Sequence, residues 1–208
     1  MINQYSKRMY TFRQLKQDRV FLFSNSKRLK HLKSETRVSR AFGEKIMLAV
    51  TAVNDCVHCA RFHTSLALLN GVERDEVRAL LAQEINQDVD DYEAVALNFA
   101  QHYAESERHP DPEILREFYE TYGKETADDI MLYIRLIFLG NLSGNTFDGF
   151  ISRLRGKPAE NSSLLFELYF VTVCCLFVVP IFSPVFLVSK IRALFAAAPF
   201  TRWSAIKL

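Results

Sequence analysis

The sequence has 208 residues, which is enough for one domain with an appendage, and its hydrophobic content of 49% excludes a wholly disordered chain. Only seven glycines and six prolines are present, which argues against a turn-rich β protein and favours helices. The net charge of +2 is the sum of three unequal parts.

Charge divides the chain into three segments. Residues 1–40 hold 11 Lys and Arg against 2 Asp and Glu, a net charge of +9. Residues 41–163 hold 11 against 21, a net charge of −10, and residues 164–208 hold 4 against 1, a net charge of +3. We therefore predict a basic N-terminal arm, an acidic globular body and an apolar C-terminal tail. A basic arm can bind nucleic acid or anionic lipid, and the apolar tail favours lipid, so no nucleic-acid partner is expected.

The four cysteines are too few for the disulfide framework of a small secreted domain. They are Cys56, Cys59, Cys174 and Cys175. The first forty residues also lack the apolar run of a signal peptide, because charges are spread throughout them. A reducing, cytoplasmic setting is expected for the body.

Helical periodicity dominates the body. The aromatic residues of the arm do not recur at a clean helical spacing, whereas Ile46, Met47, Val50 and Val53 mark the buried face of a first helix. The helices are predicted at 41–53, 56–70, 73–83, 90–107, 112–122 and 126–145, with glycines closing the second at Gly71 and the fifth at Gly123. No strand and no repeat is predicted, so the fold class is an all-α compact helical bundle.

Two residues precede the second helix and both are good N-caps, Asn54 and Asp55. The sixth helix is apolar on more than one face, which is typical of a helix at the centre of a bundle or at a subunit interface. Asn141 and Asn145 are expected to form hydrogen bonds at its end rather than to act in catalysis.

The stretch "NDCVHCARFH" carries the chemistry. On a helix Cys56, Cys59 and His63 lie at i, i+3 and i+7, which places them on one face. A helix N-terminus favours thiolate over thiol, either His58 or His63 can take up the thiol proton, and thiols at this spacing can close a disulfide. Glu44, on the preceding helix, joins them only through tertiary structure, and spacing alone does not favour it over Asp55.

Together these residues resemble a known family. Glu44, the "CVHC" motif and His63 look like the active-site pattern of the alkyl hydroperoxidase D-like proteins in the carboxymuconolactone decarboxylase superfamily. The apolar run "IMLAVTAV" before the motif, "HTSLALLNGVERDEV" after it and the later "GNLSGNTFD" are similar as well. The likeness covers roughly residues 40–155.

The resemblance implies a fold, an assembly and a reaction. It implies a compact all-α domain in a homo-oligomer, in which Cys59 attacks a hydroperoxide and Cys56 condenses with the sulfenic acid to form a disulfide. Glu44, His58 and His63 would form the proton relay. An external dithiol, such as a lipoyl or thioredoxin-like protein, would reset the disulfide, and no cofactor or metal ion is implied.

Several alternatives stay open at this point. Cys56, Cys59, His63 and Glu44 could bind zinc, although structural zinc sites usually join two separated ligand pairs. The cysteines could also be structural. The protein could be a non-catalytic redox sensor or interaction module of the same fold, or a decarboxylase-type enzyme of the superfamily, although the CxxC pair argues against that last branch.

The tail raises the question of a membrane. Residues 168–189 contain no charge and are long enough to span a bilayer, but Pro180 and Pro184 disfavour one straight helix. Basic residues on both sides leave the orientation open. We predict attachment through residues 164–208, spanning or re-entrant, in which arm and tail contact anionic lipid. The alternative is a tail that packs on the body or on a neighbouring subunit.

Overall fold

A computed structural model describes residues 5–32, 37–85, 89–160 and 162–173. Within these ranges the chain forms eight helices and no strand, which confirms the predicted all-α bundle. The helices are α1 (Phe12–Ser24), α2 (Ser26–His31), α3 (Arg40–Asn54), α4 (Val57–Leu69), α5 (Arg74–Leu81), α6 (Asp91–Glu105), α7 (Pro112–Leu154) and α8 (Leu164–Val173).

Helix α3 is the centre of the bundle and packs against α4, α5, α6 and α7. Ile46 and Val50 lie on one face, and Leu48 lies on the opposite side, yet all three are completely buried, as expected for a helix surrounded by others. Ser39 begins the helix, because its side chain accepts a hydrogen bond from the backbone N–H of Phe42. The central position of α3 brings residues of its two ends within reach of several other helices.

Helix α7 differs in length from its prediction. The expected stop at Gly123 is present as a break, since Gly123 has φ 67° and ψ 162°, a conformation that suits a residue without a Cβ. The helix then continues to Leu154 rather than ending near residue 145. The expectation that Asn141 and Asn145 lie at a helix end is therefore wrong: both are buried in the interior of α7, where packing against α3 continues the helix.

The N-terminal segment is more regular than its sequence suggests. Helix α1 begins with a capping box, in which Thr11 and Gln14 each bond the other's backbone N–H, and this signal was missed. Tyr10 is part of the hydrophobic core, and Asp18 is buried against Arg108 and Arg135 of the body. The division of the chain at residues 40 and 163 stays a prediction.

The C-terminal helix α8 packs on α7, and Arg153 forms an ion pair with the buried Glu167. In the described ranges, which end at residue 173, no helix is both long and apolar enough to cross a bilayer. Most of the predicted membrane segment 168–189, together with Cys174 and Cys175, lies outside those ranges.

Candidate active site

The turn between α3 and α4 places the two cysteines. Asn54 is the last residue of α3, and Asp55 takes a left-handed conformation with φ 52° and ψ 44°. Helix α4 therefore begins at Val57, one residue later than predicted, and Cys56 is its N-cap. Its sulfur accepts the backbone N–H of Cys59 at 3.4 Å. The prediction that Asn54 or Asp55 caps this helix is wrong, because Asp55 is used to close the preceding one.

The cysteine pair is close enough to form a bond. The sulfurs of Cys56 and Cys59 lie at disulfide distance, with 5.4 Å between the Cα atoms. Cys56 is only 1% exposed, whereas Cys59 is partly accessible. A reagent from solvent therefore reaches Cys59 first, and Cys56 lies behind it.

A carboxylate from α3 holds the histidine one turn after Cys59. Nδ1 of His63 lies 2.7 Å from Oε2 of Glu44, and both side chains are largely buried. A carboxylate only accepts hydrogen bonds, so Nδ1 donates and Nε2 is left to accept a proton. The structure thus pairs Glu44, rather than Asp55, with His63. Asp55 instead contacts Lys7, with 2.9 Å between Oδ2 and Nζ.

A cavity of about 400 Å³ opens beside these groups. Three of the predicted site residues line it, namely His58, Cys59 and His63. Its other walls are apolar or small, formed by Met47, Phe62, Leu136, Ile137, Gly140 and Gly144. The sulfur of Cys59 therefore faces a pocket that suits an apolar ligand better than a charged one.

Residues 27–101 match the carboxymuconolactone decarboxylase family. This segment is a carboxymuconolactone decarboxylase family domain. It begins within α2, inside the predicted arm, and ends in α6. All five predicted site residues lie in it: Glu44, Cys56, His58, Cys59 and His63. No curated protein and no solved structure matches the chain.

The carboxymuconolactone decarboxylase domain does not form the site alone, because a turn of α7 beyond the matched residues completes it. A Cβ added to Gly144 would lie 2.9 Å from the sulfur of Cys56 and 3.9 Å from that of Cys59. The next residue, Asn145, donates its side-chain N–H to the carbonyl of Asn54 at 2.8 Å. Gly144 thus makes room for the sulfurs, and Asn145 holds the end of α3 that leads to them.

His58 has a different partner from His63. Its Nε2 lies 3.0 Å from Oδ1 of Asp148, on the same turn of α7, and its side chain is 61% exposed. The structure therefore separates the predicted relay into a buried pair, Glu44 with His63, and an exposed pair, His58 with Asp148. Asp148 was not singled out from sequence. Its place in the stretch "GNLSGNTFD" is the one sequence feature that could have indicated it.

The N-terminal segment also reaches the cysteine turn of the carboxymuconolactone decarboxylase domain. Nζ of Lys7 donates to the backbone carbonyl of Asp55 at 2.7 Å, and the hydroxyl of Tyr5 donates to the carbonyl of Asn145 at 2.8 Å. Burial, followed by the charges of Asp148 and Asp55, raises the pKa of Tyr5 far above its usual range, so that the phenol stays a donor. Both contacts attach the arm to the backbone beside the cysteines.

A metal centre needs several ligands in one place. Among the residues that the structure describes, no three His, Cys, Asp or Glu side chains are placed so that they could hold a metal ion together.

Proposed function

We propose that the protein is a thiol-dependent peroxidase and disulfide oxidoreductase of the alkyl hydroperoxidase D-like type. The observation that carries this proposal is the Cys56–Cys59 pair at disulfide distance, beside a His63 that Glu44 orients at 2.7 Å. The carboxymuconolactone decarboxylase family, which includes alkyl hydroperoxidase D-like peroxidases, supports the same chemistry.

Cys59 is the attacking residue in this proposal, because it lines the cavity whereas Cys56 is buried. Its thiolate attacks the terminal oxygen of a hydroperoxide, and the O–O bond breaks. The sulfur is oxidised to a sulfenic acid while the leaving alkoxide takes a proton to become an alcohol. Nε2 of His63 takes the thiol proton and returns it to the leaving group, and Glu44 stabilises the imidazolium.

Cys56 completes the oxidative half of the cycle. Its thiol attacks the sulfenic acid of Cys59, which forms the disulfide and releases one water molecule. The N-cap position supports this step, because the backbone N–H of Cys59 and the N-terminus of α4 favour a thiolate on Cys56.

The reductive half uses an external dithiol. One of its thiolates attacks the accessible sulfur of Cys59, and Cys56 leaves as a thiolate that the N-terminus of α4 stabilises. The second thiol of the reductant then displaces Cys59, so that the reductant becomes a disulfide and both cysteines are thiols again. A lipoyl group or a thioredoxin-like protein supplies such a dithiol, and the apolar walls at Met47, Phe62 and Leu136 suit the alkyl part of a lipoyl arm or of an organic hydroperoxide.

The test is hydroperoxide consumption by the full chain with dihydrolipoamide as reductant and cumene hydroperoxide as substrate. Multiple turnover should be lost in Cys59→Ser. Cys56→Ser should react once and leave a sulfenic acid on Cys59 that a dione reagent labels. The matched control is the double variant Cys174→Ser, Cys175→Ser, which removes the chain's other two cysteines and should keep full turnover.

Two outcomes would contradict the proposal. Unchanged turnover in Cys59→Ser would exclude this cysteine as the attacking group. A disulfide that forms with oxidant in the wild type, but supports no more than one turnover with dihydrolipoamide or with a thioredoxin-like reductant, would identify a redox sensor of the same fold instead.

A further inference from the structure

Two helices at one side of the molecule share an unusually apolar exposed surface. Phe12, Val20 and Phe23 of α1 are more than half exposed, and Phe23 is 74% exposed. Helix α8 exposes a stripe with the spacing of one helix face, formed by Leu165, Leu168 and Tyr169. The rings of Phe12 and Tyr169 lie 5.7 Å apart, so the two surfaces are continuous. We name this surface the α1–α8 face.

Basic side chains are interspersed with these aromatic residues. At 100° per residue, Lys16, Arg19 and Phe23 all project within one quarter-turn of Phe12. Arg13 flanks them, and all three basic residues are exposed. None of the three forms an ion pair with a residue in the described part of the chain. A groove of about 410 Å³ runs between the aromatic rings, with Lys16 and Arg19 among its lining residues.

The α1–α8 face carries no negative charge of its own. Each of the two helices contains one carboxylate, and both point inwards: Asp18 is bound to Arg108 and Arg135, and Glu167 is bound to Arg153. Other basic residues of the N-terminal segment are neutralised by the acidic body, as in the pair of Arg28 with Asp129. Part of the +9 charge of the arm is therefore balanced by ion pairs with the body. The basic side chains on the outer side of α1 face solvent instead.

We propose that the α1–α8 face binds an anionic lipid surface. Exposed Phe and Leu side chains can enter the boundary between headgroups and acyl chains, while Lys16 and Arg19 reach the lipid phosphates. The face also leads directly into the uncharged residues 168–189, which begin within α8. A second copy of the chain is a poorer match, because protein interfaces are depleted of lysine and this face would bring like charges together.

The first experiment measures binding of the full chain to vesicles by sedimentation. Vesicles of phosphatidylcholine mixed with phosphatidylglycerol are compared with vesicles of phosphatidylcholine alone, so that the anionic preference is read as a ratio. The double variant Lys16→Gln, Arg19→Gln should lower this ratio by about tenfold or more, because each basic residue near a charged bilayer contributes substantially to binding. The double variant Phe12→Ser, Phe23→Ser should weaken binding to both kinds of vesicle.

A control variant removes two exposed basic side chains elsewhere. Arg74 and Arg116 are exposed basic residues on α5 and α7, and the variant Arg74→Gln, Arg116→Gln should leave the ratio unchanged. The preference of the wild type for anionic vesicles should also fall as the salt concentration rises, which requires no variant and so does not depend on folding of the altered chain.

A second experiment locates the face relative to the bilayer, independently of how strongly the tail binds. The chain has a single tryptophan, Trp203, so Trp203→Phe provides a silent background. In it, Phe23→Trp should be quenched by brominated phosphatidylcholine in anionic vesicles. Leu69→Trp should not be quenched, although Leu69, at the end of α4, is 81% exposed and thus no less accessible to solvent.

Several results would overturn the proposal. These are an anionic preference that Lys16→Gln, Arg19→Gln leaves intact, no quenching at position 23, or equal quenching at positions 23 and 69. A shift from oligomer to monomer in Phe12→Ser, Phe23→Ser, with vesicle binding unchanged, would show that the face is occupied by a second copy. Binding of duplex DNA through Lys16 and Arg19, with no binding to vesicles, would identify nucleic acid as the partner.

Discussion

Gly144 determines how closely α7 can approach the cysteine pair. Its missing side chain leaves a gap that the sulfur of Cys56 fills, at 2.9 Å from where a Cβ would stand. At Gly140, one turn earlier on the same helix, a Cβ would meet just Ile137 among the described residues, at 3.8 Å. A side chain added to Gly144 would therefore collide with the sulfur of Cys56, whereas one added to Gly140 would not.

Gly144→Ala should displace Cys56 and slow both disulfide formation and hydroperoxide turnover. We expect a loss of about 1–3 kcal/mol in the free energy of unfolding, as for other overpacked sites. Gly140→Ala is the matched control for stability and disulfide closure only, because Gly140 also lines the cavity, and it should be neutral or stabilising by up to about 1 kcal/mol, since alanine favours the helix. Urea unfolding and the rate of disulfide closure after oxidation measure both effects. Equal behaviour of the two variants would contradict this role of Gly144.

The two histidine–carboxylate pairs should contribute unequally to catalysis. Glu44→Gln removes the charge that orients the buried His63 and should lower turnover by about 10²-fold, as expected for loss of general acid–base assistance. Asp148→Asn removes the equivalent charge from His58, but that pair is largely open to water, so the loss should be below about tenfold. Steady-state kinetics with cumene hydroperoxide measure both. A larger effect at Asp148 would make His58 the principal proton carrier.

Helices α7 and α8 are joined by a buried charge pair. Arg153 binds both oxygens of Glu167, at 2.6 and 3.0 Å, and Glu167 is 0% exposed. Burial by itself would raise the pKa of Glu167, but the hydrogen bonds and charge of Arg153 outweigh it and hold the pKa below its usual range. The orientation of α8, and with it the exposed stripe on its other side, depends on this pair.

Acid should therefore destabilise the folded chain partly through Glu167. Because its pKa is lower in the folded than in the unfolded state, its stabilising contribution is complete above about pH 4.5 and is lost as the pH falls through the folded-state pKa. Glu167→Gln should flatten this part of the pH dependence and cost about 3 kcal/mol at pH 7, since it leaves Arg153 without its counter-charge. Glu117→Gln, an exposed substitution on α7, is the control and should change neither. The free energy of unfolding is measured by urea denaturation across this pH range. If both variants showed the pH dependence of the wild type, Glu167 would not have this role.

Across the whole molecule, ion pairs join the N-terminal segment to the body, and each of the two parts supplies one buried carboxylate. The body supplies Asp129, which binds Arg28 and Arg37 of the N-terminal segment at 2.6 and 2.8 Å. The segment supplies Asp18, which accepts hydrogen bonds from Arg108 and from the hydroxyl of Tyr10. The pairs of Asp129 follow the charge asymmetry of the sequence, a basic segment against an acidic body, whereas the pair of Asp18 with Arg108 runs against it.

Asp18→Asn should destabilise the full chain by about 3 kcal/mol, because it leaves the largely buried Arg108 without a counter-charge. Asp75→Asn removes an exposed carboxylate that pairs with Arg78 at the surface, and should cost less than about 0.5 kcal/mol. Chemical denaturation of both variants gives the comparison. If Asp18→Asn were as harmless as Asp75→Asn, the N-terminal segment would contribute little to stability.

Local sequence was sufficient for the helices α3 to α6 and for part of the site, but it did not predict α1, α2 and α8 or the full length of α7. The spacing of Cys59 and His63 places them on neighbouring turns of α4, with Cys56 just before them at the N-cap, because helix geometry relates residues at such short separations. The same holds for the buried face of α3 and the break at Gly123. The family resemblance added Glu44, which periodicity did not distinguish from Asp55.

Only the tertiary structure decided which partners these residues have. Glu44 reaches His63 because α3 packs on α4, and Asp55 is turned away because it takes the left-handed conformation that closes α3. Asp148 and Gly144 lie some 90 residues beyond the cysteines, and they reach the site only through the packing of α7. Contacts at such separations depend on how whole helices pack, and the local periodicity of a sequence does not determine that packing. The two thiols, by contrast, are brought together within a single helical turn.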